Sequence, residues 1–250
     1  MLREIRNLVA FLTIIPVGMD VNCIMDAAKY MYLFPLVGAF IGLIAGTFAW
    51  FLYNFFSPLL VGVLTLGLLL LITGLHHADG LLDFGDGLIY QGSAEEKIRV
   101  MRDQQTGAGG FTAGFITFSA TILCIASVHK SLVIQSLIVS EASAKFTMVL
   151  MARLGKSAHE GMNKPFICAM HGSYQNTRLT AALIITSCIA FLLLRAAGLA
   201  TIIAGIITAL ILVKVSERQF GGLTGDVFGA GNELARLGSL LAVLVAVKWT

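Results

Sequence analysis

The sequence has little charge. Asp, Glu, Lys and Arg make up only 12% of its 250 residues, whereas a soluble domain usually contains about 25%. Apolar residues instead reach 57%, and the mean hydropathy is +0.87. A chain with so few charged side chains cannot cover a water-facing surface, which excludes a soluble globular protein and a disordered one.

Cysteine pairs and excess positive charge are also scarce. The four cysteines are far apart and none stands in a CxxC spacing, which argues against a disulfide framework and a zinc site. Lys and Arg total 17 against 14 for Asp and Glu, a formal charge of +3. So small an excess argues against a nucleic-acid partner, which requires a concentrated basic surface.

A long segment without charge indicates a membrane. No Asp, Glu, Lys or Arg occurs between Lys29 and Asp79, a run of 49 residues. As one helix it would extend roughly 73 Å at ~1.5 Å per residue, more than twice the ~30 Å hydrocarbon core. It must therefore form a helical hairpin, and polar, aromatic and proline residues at 53–58 predict its turn.

Other uncharged runs complete a polytopic pattern. The predicted fold is all-α, an integral membrane helical bundle with about seven transmembrane helices that forms a single domain over residues 1–250. The predicted spans are residues 33–53, 58–75, 111–128, 132–151, 179–194, 199–213 and 234–247. Before them, apolar residues on one face and Arg3, Glu4, Arg6 and Asn7 on the other predict an N-terminal interfacial helix.

The charges are distributed unequally between the two sides of this bundle. Twelve of the 17 basic residues fall on the side of the N-terminus, so the positive-inside rule makes that side cytoplasmic. Thirteen of the 14 acidic residues lie on the same side, the exception being Glu141 inside a span. Acidic residues contribute little to topology, and a working site on the cytoplasmic face would explain their bias.

Three aspartates follow the second span directly. On a helix, Asp79, Asp83 and Asp86 would lie within about 60° of one another and project from one face. Their mutual repulsion destabilises the helix unless a cation neutralises them, and hard oxygen ligands suit Mg²⁺. The alternative is a solvated polar loop, although three interleaved glycines would leave room beside the carboxylates for a bulky ligand.

A basic and glycine-rich segment continues the same loop. Lys97, Arg99 and Arg102 suit phosphate oxygens, and Asp103 could add a metal ligand. The glycine-rich run 107–110 could turn backbone N–H groups toward an anion at the start of the next helix. Alternatively, the basic residues only determine the topology.

A third cluster, residues 221–233, contains five glycines and two carboxylates seven residues apart, Asp226 and Glu233. They share a helix face if the last helix begins by Asp226, and a re-entrant turn is the alternative.

Lys145 is spaced i, i+4 from Glu141 inside a span, so it forms either an ion pair or part of a functional cavity. In segment 153–162, Arg153 can hold phosphate and Glu160 can serve as a base or ligand.

Three motifs in fixed order resemble the cobalamin synthase (adenosylcobinamide-GDP ribazoletransferase) family. They are His77-x-Asp79-Gly80-x-x-Asp83-x-x-Asp86-Gly87, Met101-Arg102-Asp103-x-x-x-Gly107 and Gly221-Gly222-x-Thr224-Gly225-Asp226-x-x-Gly229-Ala230. The resemblance extends over nearly the whole chain. It implies a catalytic domain in the cell membrane that joins α-ribazole, or its 5′-phosphate, to adenosylcobinamide-GDP and releases GMP, with Mg²⁺ required.

The resemblance and the chemistry of the residues together assign candidate roles. Charge neutralisation on a transferring phosphoryl group can come from Mg²⁺ held by carboxylates. The expected metal ligands are Asp79, Asp83, Asp86 and Asp226. Asp103 is expected to be a further ligand or the base for the attacking ribazole hydroxyl. The expected substrate contacts are His77, Arg99, Arg102, Lys145, Arg153, Glu160, Thr224 and Glu233.

Two other classes of protein share spaced carboxylates in membrane helices. The nearest alternative is another Mg²⁺-dependent enzyme of the CDP-alcohol phosphotransferase or intramembrane prenyltransferase type. A cation-coupled transporter is less suitable, because its carboxylates would lie near the membrane midplane rather than at the ends of spans. Besides the substrates, the candidate partners are membrane lipid, further copies of the chain and other enzymes of late cobalamin synthesis.

Overall fold

A computed structural model describes residues 2–18, 21 and 23–247. The described chain is almost entirely helical and contains no strand, only one isolated bridge between Ser157 and Leu223. The all-α prediction is therefore confirmed. The helices are α1 (Leu2–Leu12), α2 (Cys23–Lys29), α3 (Phe34–Leu52), α4 (Pro58–Ile72), α5 (His76–Ile89), α6 (Ala94–Met101), α7 (Ala108–Ser127), α8 (Val133–Leu154), α9 (Lys164–His171), α10 (Gln175–Phe220) and α11 (Gly225–Val247).

Several of these helices can cross a membrane. In the described part of the chain five helical segments are long and apolar enough, namely Met31–Leu52, Ala108–Ser127, Lys130–Leu154, Gln175–Phe220 and Gly225–Val247. The pair α4 and α5, bent by 96° at the break between them, would make a sixth span. The protein is thus a multi-pass membrane protein, and the predicted hairpin turn between α3 and α4 is confirmed. The count of seven spans stays a prediction.

Helix α10 is not one straight rod. At Arg195 the backbone leaves the helical region, with φ 53° and ψ −132°. Gly198 and Ala190 would be about 12 Å apart along a continuous helix. Instead, a Cβ atom on Gly198 would overlap the Ala190 carbonyl, so the chain folds back on itself. The break lies where the sequence separates the spans 179–194 and 199–213, and a count of seven requires both arms to cross.

Helix α8 occupies the centre of the bundle, with α3, α10 and α11 packed around it. Three glycines on α3, four residues apart, face α8, and a Cβ atom on any of them would overlap α8 backbone. They are Gly38, Gly42 and Gly46. Small residues on one face allow two membrane helices to approach closely without relying on the hydrophobic effect. This approach makes α8 the most enclosed span.

Helix α1 forms as predicted, with Leu8 and Leu12 buried against the bundle. Asn7 differs from the prediction, because it is fully buried rather than on the polar face. Its Nδ2 donates to Asp26 Oδ2 at 2.8 Å, which ties α1 to α2. The interfacial position of α1 stays a prediction.

Candidate active site

Helices α5 and α11 cross at a pair of glycines. A Cβ atom on Gly80 would lie 2.8 Å from the Asp226 carbonyl oxygen and 2.9 Å from its Cα atom. On the other helix, a Cβ atom on Gly229 would lie 3.0 Å from the His77 carbonyl oxygen and 3.2 Å from the Gly80 Cα atom. The two backbones therefore touch, which only residues without a side chain permit. The crossing sets the first motif of the sequence against the third.

This crossing gathers three carboxylates into an acidic cluster, formed by Asp79, Asp83 and Asp226. Asp79 is exposed, whereas Asp83 and Asp226 are partly buried. The charges of Asp79 and Asp226 both act on Asp83, and that of Asp79 acts on Asp226. A left-handed turn at Gly74 and Leu75 bends the chain sharply before α5 and directs it across α11. Three of the four predicted metal ligands therefore lie together.

Asp86, the fourth predicted ligand, faces the start of α7 instead. The Gly107 N–H donates to Asp86 Oδ2 at 2.7 Å, and the Gly110 N–H donates to Oδ1 at 2.8 Å. A Cβ atom on Gly107 would lie 2.5 Å from the carboxylate. The glycine-rich run does turn N–H groups toward an anion, as predicted, but this anion is a side chain of the protein. The charge of Asp86 still acts on Asp83.

Thr224 positions Asp226 at the start of α11. Its hydroxyl oxygen accepts a hydrogen bond from the Val227 N–H and donates to Asp226 Oδ2, both at 3.3 Å. The helix begins at Gly225, so the condition for Asp226 and Glu233 to share a face is met. Glu233 is two turns deeper in the bundle. Thr224 itself is buried, which makes it a positioning residue for the carboxylate.

Two loops meet beside the acidic cluster. The Leu223 N–H donates to the Lys156 carbonyl at 2.7 Å, and Asn163 Nδ2 donates to the Leu223 carbonyl at 2.8 Å. Gly222 lies so close to residues 156–158 that a Cβ atom on it would be 2.6 Å from the Lys156 carbonyl oxygen. These contacts fix the loop that precedes α11 against the loop that follows α8. The second loop carries His159.

His159 links the basic loop to the acidic cluster, and sequence reasoning missed it. An Arg102 guanidinium nitrogen lies 3.1 Å and 3.2 Å from the two ring nitrogens of His159, and His159 in turn lies within electrostatic range of Asp226. Arg102 therefore reaches the neighbourhood of the cluster. The sequence signal was present, because His159 is adjacent to Glu160 in a segment already considered for phosphate binding.

Three other predicted substrate contacts are not joined to the cluster. Glu160 is exposed and pairs with Lys164 on its own loop. Arg99 is exposed on α6, and the Arg153 Nε atom is buried without a hydrogen-bond partner. Among the described residues, no hydrogen bond or ion pair connects Glu160, Arg99 or Arg153 with the cluster. Lys97, from the same basic segment, is buried and donates to Gln219 at the end of α10.

Lys145 and Glu233 belong to a buried ionic network instead. Arg236, fully buried, donates to both Glu141 and Glu233. Lys145 Nζ donates to Asn232 Oδ1 at 2.5 Å and lies 3.9 Å from Glu141. All five side chains are at most 1% exposed. Glu141 and Lys145 form an ion pair, which is one of the two alternatives that the sequence predicted. Arg236 is nevertheless the closer partner of Glu141.

His77 lies between the network and the acidic cluster. Its ring is buried, its Nδ1 atom has no hydrogen-bond partner, and the charges of Lys145 and Arg236 act on it. Its backbone touches Gly229 at the helix crossing. The structure therefore places this predicted substrate contact in the buried interior at the helix crossing.

The donor chemistry of the cluster fits a hard divalent cation. Three carboxylates from two helices lie together, and in the described part of the chain none of them is paired with Lys or Arg. Such a set is repulsive by itself and is the ligand type that Mg²⁺ prefers. Within residues 2–18, 21 and 23–247, no three His, Cys, Asp or Glu side chains already converge at metal-binding distance.

Asp103 lies apart from the acidic cluster. It is exposed in the loop after α6, and its Oδ1 atom accepts a hydrogen bond from the Gln105 N–H at 3.1 Å. Among the described residues, no hydrogen bond connects Asp103 with Asp79, Asp83 or Asp226. A cavity of about 500 Å³ nevertheless has both Asp103 and Asp86 in its wall.

The fold and the site define a helical membrane protein whose carboxylates gather where two helices cross. The model of the cobalamin-5-phosphate synthase family matches residues 4–244. The chain therefore belongs to this family and is an enzyme of cobalamin synthesis. The expectation from its motifs is confirmed.

Curated relatives agree over nearly the full length. A protein of Methanocella arvoryzae is 36% identical over 100% of this chain and 97% of its own length. Proteins of Methanococcoides burtonii, at 32% identity over 98% and 93%, and Archaeoglobus fulgidus, at 31% over 98% and 99%, are also similar. All three are named adenosylcobinamide-GDP ribazoletransferase. No solved structure matches the chain significantly.

Proposed function

We propose that the protein transfers the adenosylcobinamide phosphoryl group from adenosylcobinamide-GDP to α-ribazole or its 5′-phosphate and releases GMP. The observation that carries this proposal is the glycine crossing of α5 and α11, which joins the first and third motifs into one acidic cluster. The relatives' printed name supplies the substrates. A phosphoryl transfer of this kind requires charge neutralisation and alignment rather than a covalent intermediate.

The protein's own residues provide alignment and charge. Asp79, Asp83 and Asp226 would hold Mg²⁺, which supplies charge neutralisation on the diphosphate when bound. Thr224 orients Asp226, and the contact with His159 holds the Arg102 guanidinium near the cluster. Arg102 is suited to bind diphosphate oxygens in two-point fashion. The acceptor's hydroxyl oxygen then bonds to the cobinamide phosphorus as the bond to the departing GMP oxygen breaks, and the hydroxyl proton is released to water.

Product release is the direct test. Purified protein is incubated with adenosylcobinamide-GDP and α-ribazole, with Mg²⁺ or with EDTA, and GMP and the joined corrinoid are measured by chromatography. We expect equal amounts of the two products with Mg²⁺ and a loss of at least ~10²-fold with EDTA. A parallel reaction with α-ribazole 5′-phosphate compares the acceptors. GMP formed without either acceptor would indicate hydrolysis and contradict the proposed transfer.

We also propose that the acidic cluster faces the cytoplasm from the cell membrane. The excess of basic residues on that side supports this orientation. Single cysteines at the exposed positions 90 and 160 should resist an impermeant thiol reagent in intact cells, whereas cysteines at 54 and 196 should react. The background must lack the native cysteines, since Cys168 and Cys188 are exposed. Labelling at 90 and 160 from outside would reverse the orientation.

A further inference from the structure

A cavity of about 500 Å³ lies beside the acidic cluster, between the end of α5 and the loop after α6. This volume is within the ~300–1,000 Å³ range of small-molecule sites. Asp86 connects the cavity with the acidic cluster. It lines the cavity, and its charge acts on Asp83. A ligand in the cavity would therefore lie directly next to the cluster.

The wall of the cavity combines flat apolar surface with amide and carboxylate groups. Tyr90 supplies an aromatic ring, and Ile89 and Val100 supply aliphatic surface. Gln91 and Gln105 add side-chain amides, which both donate and accept hydrogen bonds. Aromatic rings bind nucleobases by stacking, and amides can then read the edges of the base. The composition of the wall is thus suited to a nucleobase.

Asp103 decides which base the cavity would select. Its carboxylate is held by the Gln105 N–H through Oδ1, while no ion pair engages it within the described residues. An ionised carboxylate only accepts hydrogen bonds. Guanine presents two adjacent donors on one edge, the ring N1–H and the exocyclic amino group. Adenine presents an acceptor at the same ring position, and hypoxanthine lacks the amino group.

The neighbouring residues extend this arrangement toward the phosphates. Arg102 directly precedes Asp103, and its guanidinium lies against His159 on the side of Asp226. A nucleotide whose base occupied the cavity could therefore direct its diphosphate past Arg102 toward the acidic cluster. Arg102 would then bind the diphosphate of the nucleotide, and the next residue, Asp103, would bind its base.

We infer that this cavity binds the guanine base of the nucleotide substrate and that Asp103 is the specificity-determining residue. The inference rests on the proposed function for the presence of a guanosine diphosphate. It replaces the expected role of Asp103 as a metal ligand or base. It also explains why this carboxylate lies outside the acidic cluster.

Nucleotide binding separates this role from a purely structural one. Affinities of the detergent-purified full chain for GMP, IMP and AMP are measured by calorimetry, for the wild type and for Asp103→Asn. The Asn side chain retains an oxygen for the Gln105 N–H but presents a donor to the base. We expect the wild type to prefer GMP over IMP by about 10- to 100-fold, as for a hydrogen bond to a charged group, and the variant to lose this preference.

A matched control removes an equivalent surface charge. Glu95 is exposed in the first turn of α6, at the end of that helix away from Asp103, and Glu95→Gln should keep the wild-type preference for GMP. Persistence of the GMP preference in Asp103→Asn, or its absence in the wild type, would overturn the inference. The GMP-release assay keeps the two proposals apart. If the wild type forms GMP from adenosylcobinamide-GDP but Asp103→Asn stays selective, only the assignment of Asp103 fails.

Discussion

The glycine contact between α5 and α11 offers the sharpest test of the site. In Gly80→Ala, the added Cβ atom would lie 2.8 Å from the Asp226 carbonyl oxygen and 2.9 Å from its Cα atom, whereas ordinary contact begins at 3.4 Å. Both obstructing atoms are backbone, so no side chain can rotate away. The helices must separate by about half an ångström, which displaces Asp226 relative to Asp79 and Asp83.

The expected effect on activity exceeds the effect on folding. Overpacking of this size typically destabilises by about 1–3 kcal/mol. A displacement of about 1 Å in an active site can lower the rate by ~10²-fold, so roughly half that movement should lower GMP release by at least about tenfold. Activity is measured as GMP formed per folded protein, and folding as the thermal transition in detergent.

Two further glycines make this a graded experiment. A Cβ atom on Gly229 would lie 3.0 Å from the His77 carbonyl oxygen, so Gly229→Ala should cause a smaller loss. A Cβ atom on Gly238, on the same helix, would meet its nearest neighbours only at 3.7 Å, so Gly238→Ala should behave as the wild type. Full activity in Gly80→Ala, or an equal loss in all three variants, would refute the crossing as the origin of the site.

Three other substitutions separate metal binding, helix capping and the ionic network. Asp83→Asn should reduce GMP release by ~10²-fold or more and weaken thermal stabilisation by Mg²⁺ while the protein stays folded, and normal turnover would contradict metal ligation. In Asp86→Asn, an amide NH₂ group would face one of the two N–H donors at the start of α7, which should destabilise the protein by about 1–3 kcal/mol. An unchanged thermal transition would show that Asp86 does not cap α7. Arg236→Met leaves Glu233 without its ion pair and Glu141 with only the 3.9 Å pair to Lys145, so it should destabilise by about 3–5 kcal/mol, whereas a stable, monodisperse variant would show that the network is dispensable.

The periodic features of the chain were accessible from its sequence. The uncharged run after Lys29 predicted the α3–α4 hairpin, because one helix of that length would overshoot the membrane. The spacing of Asp79, Asp83 and Asp86 predicted one helix face, and α5 does contain all three. Spacing along a helix depends only on helical geometry, so these predictions needed no knowledge of the rest of the fold.

Contacts between distant segments were not accessible in the same way. The partner of the Asp86 carboxylate is the start of α7, which lies more than 20 residues away and has glycines rather than a basic residue. Arg236 lies near the start of the predicted span 234–247, yet it neutralises Glu141 from across the bundle. A single sequence without related sequences contains no signal for which helices cross or at which residues. His159 had a sequence signal, its position next to Glu160, but its importance comes from the two loops that meet there, and a single sequence does not show that contact.

The paired charges of the ionic network are fully buried, whereas the unpaired carboxylates of the acidic cluster lie nearer the surface. In the buried network, the carboxylates of Glu141 and Glu233 are matched by the cations of Lys145 and Arg236, so the network has no charge left for a ligand. A buried ion pair contributes little net stability, but loss of one member is costly, which makes such a network a restraint on helix register. The acidic cluster is the opposite case, since its carboxylates repel one another and lie nearer the surface. A divalent cation bound there, as in the proposed mechanism, would remove that repulsion.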